Sequence, residues 1–220
     1  LLDAHLEHSI ATLASWLDDP RPEVRRLITE GSRPRLPWGM QLKSLIADPS
    51  PTLPLLERLR DDPADTVRRS VANHLNDIGK DHPERLLQIA QTWSEDAPAE
   101  RRRLIRHACR SLLKKGDGAA LALQGFEAAK LSDVSLVLER PEVIEGGNLR
   151  IRFSARSAER QSRPLRLDYA VHFKKANGSL SPKVFCWKAC ELAPAERLEL
   201  ERREILVDGL DFLQADNVRR

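Results

Sequence analysis

Hydrophobic residues recur with two different periods along this chain. In the first part they fall at helical spacing: Val67, Val71, Leu75 and Ile78 make one stripe, and Leu104, Ile105, Ala108, Cys109 and Leu112 another. The pattern predicts leading helices at 6–17, 53–60 and 83–93, each followed by a second helix, the third of which runs over 101–115. From Val134 onward the pattern alternates, with Leu149, Ile151 and Phe153 on one side and Arg150, Arg152 and Ser154 on the other. It predicts strands at 134–139, 149–157, 165–174, 183–191 and 197–207, with a hairpin turn at Asn177-Gly178, where both residues tolerate positive φ.

The helical part repeats itself. Val24-Arg25-Arg26-Leu27-Ile28, Val67-Arg68-Arg69-Ser70-Val71 and, more loosely, Arg101-Arg102-Arg103-Leu104-Ile105 align without gaps, at offsets of 43 and 34 residues. These bracket the length of HEAT-type units, roughly 40 residues. Asp18-Asp19-Pro20 and Asp61-Asp62-Pro63 precede two of the second helices, where acids and proline suit a helix N-terminus. Each unit then reads helix, turn, helix, and closes its core only by stacking on its neighbours. The expected fold class is α + β in two domains: a HEAT-like α-α solenoid over 1–130, a small, incomplete β-sandwich over 131–210 and an irregular tail over 211–220. The break falls after Gly116-Asp117-Gly118, and the Ala-rich stretch up to Lys130 caps the helical array.

Composition adds compartment and partner. The 220 residues are 31% charged and only 5% aromatic, as suits a helical repeat protein. The net charge of +3 is small, but Arg101 to Lys115 holds seven Lys/Arg and no Asp/Glu, so positive charge is concentrated there. Three cysteines, Cys109, Cys186 and Cys190, fit a reducing compartment rather than a disulfide framework. Cys186, Cys190 and His172 lack a fourth ligand and zinc-knuckle spacing, so no metal is expected. No cofactor is expected either. No signal peptide or membrane span stands out. The first residue is Leu, which predicts a fragment whose earlier repeats lie upstream.

The repeat helices carry a second, polar face. Arg69, Asn73 and Asp77 run i, i+4, i+8, beside Asn76 and Lys80; the matching positions are Arg26 and Glu30 in the first repeat and Arg103 and His107 in the third. Parallel stacking predicts one polar wall from these residues. The plain alternative is a solvated face with i, i+4 ion pairs such as Arg26–Glu30. Against it, Asn73 and Asn76 are poor helix formers, and an all-basic stripe of Arg102, Arg103, Arg106, Arg110 and Lys114 repels itself unless anions meet it. Trp38 sits in the rigid bend Pro37-Trp38-Gly39, where packing between repeats is its ordinary reading. Trp16 and Trp93 read as inter-repeat packing and Trp187 as sandwich core.

Glu30-Gly31-Ser32-Arg33-Pro34-Arg35-Leu36-Pro37-Trp38 and the long run from Arg68 to Pro83 closely resemble the AlkC family of bacterial DNA alkylation repair glycosylases, over roughly residues 5–205. The resemblance implies HEAT-like repeats followed by an immunoglobulin-like β-sandwich. It implies that Glu30, Trp38 and Asp77 line the site holding the damaged nucleotide. Arg26, Arg33, Arg35, Arg69, Asn73, Lys80, Arg102, Arg103, Arg106, His107, Arg110 and Lys114 are then the expected DNA contacts. Family members carry a further acid upstream and further strands downstream, so this fragment is expected to lack part of the machinery. The implied activity is hydrolysis of the glycosidic bond of cationic bases such as 3-methyladenine in double-stranded DNA. A carboxylate stabilises the sugar cation, without a deep base pocket, in a cytoplasmic, nucleoid-associated bacterial monomer. Arg150, Arg152, Arg163, Arg166, Lys174 and Lys175 in the β part read equally as a duplex clamp or as solubilising charge. The alternative function is a non-catalytic HEAT-like scaffold binding DNA or an acidic protein. Convergence of Glu30, Trp38 and Asp77 on one wall separates the two.

Overall fold

The computed structural model describes residues 5–139, 148–175 and 177–205, and the chain divides into two compact units, Leu1–Gln124 and Gly125–Arg220. Among the described residues the first unit is all helical: α1 (Leu6–Ala14), α2 (Pro22–Gly31), α3 (Lys43–Ala47), a 3-10 turn (Ser50–Thr52), α4 (Leu53–Leu59), α5 (Asp65–Asp81), α6 (Pro83–Ser94), α7 (Ala99–Ala108), α8 (Arg110–Lys114) and α9 (Gly118–Leu123). The leading helices expected at 6–17, 53–60 and 83–93 are α1, α4 and α6. The stripe Val67, Val71, Leu75 and Ile78 is buried on α5, at the centre of a core that also takes Ile28, Leu56, Leu86 and Ile105. Each such side chain is worth about 1.5–3 kcal/mol of burial. Where α5 meets α6, a Cβ on Gly79 would lie 2.4 Å from Leu86 Cδ2, so bare backbone is what seats Leu86 fully buried.

The paired arginines of the repeat signature divide their work. The first of each pair folds back onto its own helix entrance. Arg25 donates from Nη1 to the carbonyls of Asp19 and Pro20 at 2.7 and 3.2 Å, and Arg68 to those of Asp62 and Pro63 at 2.6 and 2.9 Å. Arg102 reaches the carbonyl of Ala97 in the same way. A guanidinium thus satisfies loop carbonyls that precede a helix, and the motif recurs because the turn recurs.

One expectation takes a particular form and another needs correction. The acids before the helices do meet free amides at the entrance, Asp19 that of Arg21 and Asp62 that of Ala64, both at 2.9 Å, although those capping residues make no side-chain cap bond of their own. Asp62 also accepts from Arg25 Nε and Nη2 at 2.6 and 2.9 Å, tying one repeat to the next. Burial alone would raise its carboxyl, but Arg25 and the Ala64 amide outweigh it and hold it below the usual range. The third second-helix is not continuous: it breaks at Cys109, between α7 and α8. The Ala108 carbonyl freed there accepts 2.7 Å from Asn76 Nδ2, whose Oδ1 takes Ser111 Oγ at 3.1 Å. Asn76 is therefore a buried clasp on the helix break, which explains an amide inside a helix. Trp93 is buried between repeats as expected, bonded to Glu57 Oε2 at 2.5 Å.

The second unit holds β1 (Leu131–Leu138), β2 (Asn148–Ser157), β3 (Arg163–Lys174), β4 (Leu180–Leu192) and β5 (Arg197–Ile205). They form an antiparallel sheet in the order β1-β2-β5 and an antiparallel pair β3-β4. Leu149, Ile151, Phe153 and Ala155 of β2 turn inward and are buried. Trp187 packs on Leu149 and Ile151, with its ring 6.3 Å from Phe153. A shift of register opposite Leu167 and Asp168 leaves Trp187 as the extra residue of β4, a bulge that aims the indole at the other sheet. The hairpin at Asn177-Gly178 forms, with Gly178 at φ 80. The basic residues expected as a clamp are largely paired: Arg150 and Arg152 with Glu139, Arg163 with Glu127, and Arg166 with Asp168. The tail over 211–220 lies outside the described residues.

Candidate active site

The exit of α2 builds the site. Ser32 leaves helical geometry while its hydroxyl caps the Ile28 carbonyl at 2.7 Å, and this turns the Arg33 side chain inward, where it is 6% exposed. Arg33 donates from Nη1 to Glu30 Oε1 at 2.7 Å and from Nε to Asp77 Oδ2 at 2.8 Å. The second oxygen of Asp77 accepts from Lys80 Nζ at 2.7 Å. The Asp77 side chain is 0% exposed, that of Glu30 26%. Burial pulls the Arg33 guanidinium downward in pKa, but its bonds to Asp77 and Glu30 outweigh this and leave it raised. The two predicted carboxylates therefore do converge, but through a buried cation that they share.

This corrects the picture of Asp77 as a carboxylate open to the groove. It keeps the i+8 position of the polar stripe, yet Arg33 and Lys80 occupy both of its oxygens. Glu30 does not pair with Arg26 at i, i+4; its partners are Arg33 and Ser70, whose Oγ donates to Glu30 Oε2 at 2.8 Å. Thr29 Oγ1 lies 2.6 Å from Ser70 Oγ. Below them His74 is fully buried, its Nδ1 2.9 Å from the Thr29 carbonyl. A carbonyl only accepts, so Nδ1 carries the proton and Nε2, which has no partner, is a bare acceptor. Burial lowers the His74 pKa to about 4.

After Arg33 the chain makes a tight loop over 34–42. Arg35 clamps Asp81 through two bonds of 2.7 Å, holding the Asp81 carboxyl below the usual range, and the Leu42 amide closes the loop on the Pro34 carbonyl at 3.0 Å. At its tip Trp38 sits at φ 63, wholly exposed, next to exposed Met40. The inter-repeat packing that is ordinary for tryptophan is not what this one does. A non-glycine residue in left-handed geometry costs about 1 kcal/mol or more, a strain that clusters at functional sites.

The second arginine of each repeat pair behaves unlike the first. Arg26, Arg69 and Arg103 are exposed and have no ion-pair partner among the described residues. A cleft of about 320 Å³ runs between α5 and α7, lined by Arg69, Arg103 and His107, with Arg68 and the acids Asp65 and Glu100. His107 Nε2 meets Asn73 Oδ1 at 2.9 Å, so Asn73 is an inter-helix tie. Burial, then Arg110 and Arg69, lower the His107 pKa. Of the other residues expected to touch DNA, Arg102 belongs with the loop tethers, Arg106 bonds Gln124 at 3.2 Å, and Arg110 folds onto the His107 carbonyl at 2.8 Å. Lys114 is exposed. Among the described residues no group of His, Cys, Asp and Glu side chains could hold a metal ion, and no helix is long and apolar enough to cross a membrane.

Residues 132–208 match the family "Uncharacterised protein YhaZ, C-terminal Ig-like domain". The uncharacterized protein YhaZ of Bacillus subtilis (strain 168) is 44% identical over 180 residues, which are 81% of this chain and 50% of that protein. The Pseudomonas fluorescens alkylpurine DNA glycosylase AlkC, solved bound to DNA containing an abasic site analog, superposes with a TM-score of 0.86 at 34% identity, over 96% of this chain and 58% of that one. By sequence and by fold, the chain is AlkC-like. It spans about half the length of the relatives it matches.

Sequence pattern alone does not single out three polar residues of this site: Thr29, Ser70 and His74. A signal for Ser70 is nevertheless present. It occupies the position held by Leu27 and Leu104 in the other two repeats, so a hydroxyl stands where the motif carries leucine. His74, likewise, lies between the core positions Val71 and Leu75, where a polar side chain needs a buried partner.

Two outcomes follow from this burial. Asp77→Asn leaves Arg33 short of a counter-charge in the interior and should lower unfolding free energy by about 3–5 kcal/mol in a denaturant titration. His74 should make stability pH-dependent. Unfolded, it titrates near 6.5, and folded, near 4. Between those values the unfolded chain binds a proton that the folded chain refuses, so its contribution is whole above about 6.5 and falls as pH drops toward 4, by about 3 kcal/mol. His74→Gln, which cannot titrate, should lose that part of the slope in urea melts between those pH values.

Proposed function

We propose that this protein is a DNA glycosylase that hydrolyses the N-glycosidic bond of cationic alkylated purines such as 3-methyladenine, acting as a monomer on double-stranded DNA in the bacterial cytoplasm. The observation that carries the reading is Glu30: a carboxylate held at both oxygens by Arg33 and Ser70, yet 26% open, on a fold that matches a DNA-bound alkylpurine glycosylase. Each oxygen accepts one bond and keeps a lone pair, so the group is oriented without being saturated.

A base methylated at N3 or N7 is already cationic. When the C1′–N bond breaks, its electron pair goes to the base, which leaves neutral and needs no acid. The positive charge passes to the deoxyribose as an oxocarbenium ion. A carboxylate fixed near C1′ favours that state over the ground state, and this difference lowers the barrier. Water then adds to C1′ and gives its proton to Glu30. Trp38 lies against the sugar or the cationic base, where an indole face attracts positive charge by about 0.5–2 kcal/mol. Asp77 acts behind this front: it takes half of the Arg33 charge, so that Glu30 is not neutralised by its own clamp.

The open cations Arg26, Arg69 and Arg103, with Lys114, meet phosphates. Arg33, Arg35, Lys80, Arg102 and Arg110 serve the site from the protein side, and Asn73 and His107 shape the cleft wall between α5 and α7.

In the intact protein, Glu30→Gln should slow single-turnover release of 3-methyladenine from methylated duplex by about 100-fold, while DNA affinity stays within about twofold. No base release by the wild-type protein would end the proposal; equal rates for the two would remove Glu30 from the chemistry. Replacing Arg69 and Arg103 by Ala should flatten the slope of log affinity against log salt by about 0.9 for each phosphate no longer neutralised, and an unchanged slope would place both residues off the phosphates.

A further inference from the structure

Ser70 stands out because of what its position normally holds. Leu104, its counterpart in the third repeat, is a buried core residue, and Ser70 is itself only 2% exposed, on the side of α5 that faces α2. A buried hydroxyl without partners would be destabilising. Here the hydroxyl is met by Thr29 and Glu30, at 2.6 and 2.8 Å. The direction of the protons is fixed by chemistry. A carboxylate oxygen only accepts, so the Ser70 proton points at Glu30. The one Thr29 proton has two acceptors in reach, the Arg26 carbonyl at 3.1 Å and Ser70 Oγ at 2.6 Å, and the shorter contact takes it, since Ser70 has already turned its own proton to Glu30. The result is a one-way chain, Thr29 to Ser70 to Glu30, in which each donor polarises the next.

We infer that Ser70 is a positioning residue for Glu30, and that Thr29 locks the Ser70 hydroxyl in its donating rotamer. The inference rests on the proposed role of Glu30 and adds to it. Arg33 alone holds one oxygen and leaves the carboxylate free to swing about that bond. Ser70 holds the other and fixes the plane. It reaches Glu30 from α5, whose Asp77 holds Arg33, so α5 supports both anchors of the carboxylate, Ser70 directly and Arg33 through Asp77.

The test uses the intact protein with Ser70→Ala, Thr29→Val, Thr29→Ser, Glu30→Gln and the double variant Ser70→Ala/Glu30→Gln. The readouts are single-turnover release of 3-methyladenine and, separately, affinity for undamaged duplex. Losing a hydrogen bond to a charged group corresponds to about tenfold or more, so Ser70→Ala should release base about tenfold more slowly at unchanged affinity. Thr29→Val should fall in the same direction by a smaller factor, and Thr29→Ser, which keeps the hydroxyl, should recover the wild-type rate. In the Glu30→Gln background, Ser70→Ala should add less than about twofold, because it acts through a group already removed. An unchanged rate in Ser70→Ala, or losses that multiply in the double variant, would overturn the inference. Should Ser70→Ala melt before it can be assayed, the Val and Ser replacements of Thr29 decide, and equal rates for those two would overturn it. A Glu30→Gln protein as fast as wild type would instead sink the reading of Glu30 on which the inference stands, a result distinguishable from failure at Ser70 alone.

Discussion

The structure around α2 and α5 depends on one buried guanidinium. A charge taken from water must be met by opposite charge and by hydrogen bonds, or it unfolds its surroundings. Arg33 is met by Glu30 three residues back on α2 and by Asp77 on α5. That requirement fixes the exit of α2 relative to α5 and the base of the loop that follows. The Arg35–Asp81 pair and the Pro34–Leu42 bond then hold the rest of the loop, so that the strained, exposed tip at Trp38 has a rigid foundation. Taking away either carboxylate would leave the loop attached to a helix end short of half its counter-charge.

The paired arginines show how a repeat separates scaffold from surface. Neighbouring residues on a helix point about 100° apart, so the two arginines of each pair meet different surroundings. One turns back over the loop carbonyls, as Arg25 and Arg68 do, and serves the turn between helices. The next turns outward, and on stacking, Arg26, Arg69 and Arg103 become three exposed cations on successive units. A solenoid multiplies a small local pattern into an extended electrostatic feature, and no long-range pairing is needed to produce it.

Periodicity makes the elements legible. Helices with a continuous apolar stripe and strands with clean alternation stand within a few residues of their expected bounds, because burial of one face is the force that forms them. The site is legible in identity more than in environment. Pattern puts Glu30 and Asp77 on one polar wall, to which the resemblance adds Trp38, but helical spacing cannot tell a solvent-facing polar residue from one covered by a neighbouring loop. Asp77, Asn76 and Asn73 share the polar face of α5, and the chain folds Arg33, Ala108 and His107 onto them. Those partners lie 44, 32 and 34 residues away, beyond any local pattern. The two asparagines that argue for a ligand on sequence grounds are inter-helix ties. Exposure of Trp38 goes the other way, against the usual habit of tryptophan.

The arrangement also bears on a conflict that the proposed partner creates. Duplex DNA is a dense array of negative charge, yet stabilising a sugar cation calls for a carboxylate at the point of contact. Glu30 and Asp77 carry two negative charges, and Arg33 and Lys80, bonded to them, carry two positive ones. Seen from about 8 Å, the screening length at physiological salt, the cluster is close to neutral and does not oppose approaching phosphates. At closer range the open groups are Glu30, its side chain 26% exposed, and Lys80, at 43%, while Arg33 and Asp77 are covered. A cation formed beside Glu30 would meet that carboxylate ahead of the buried Arg33 charge. For the proposed reaction, burying the Arg33 partner while leaving part of Glu30 open would therefore reconcile binding a polyanion with stabilising a carbocation.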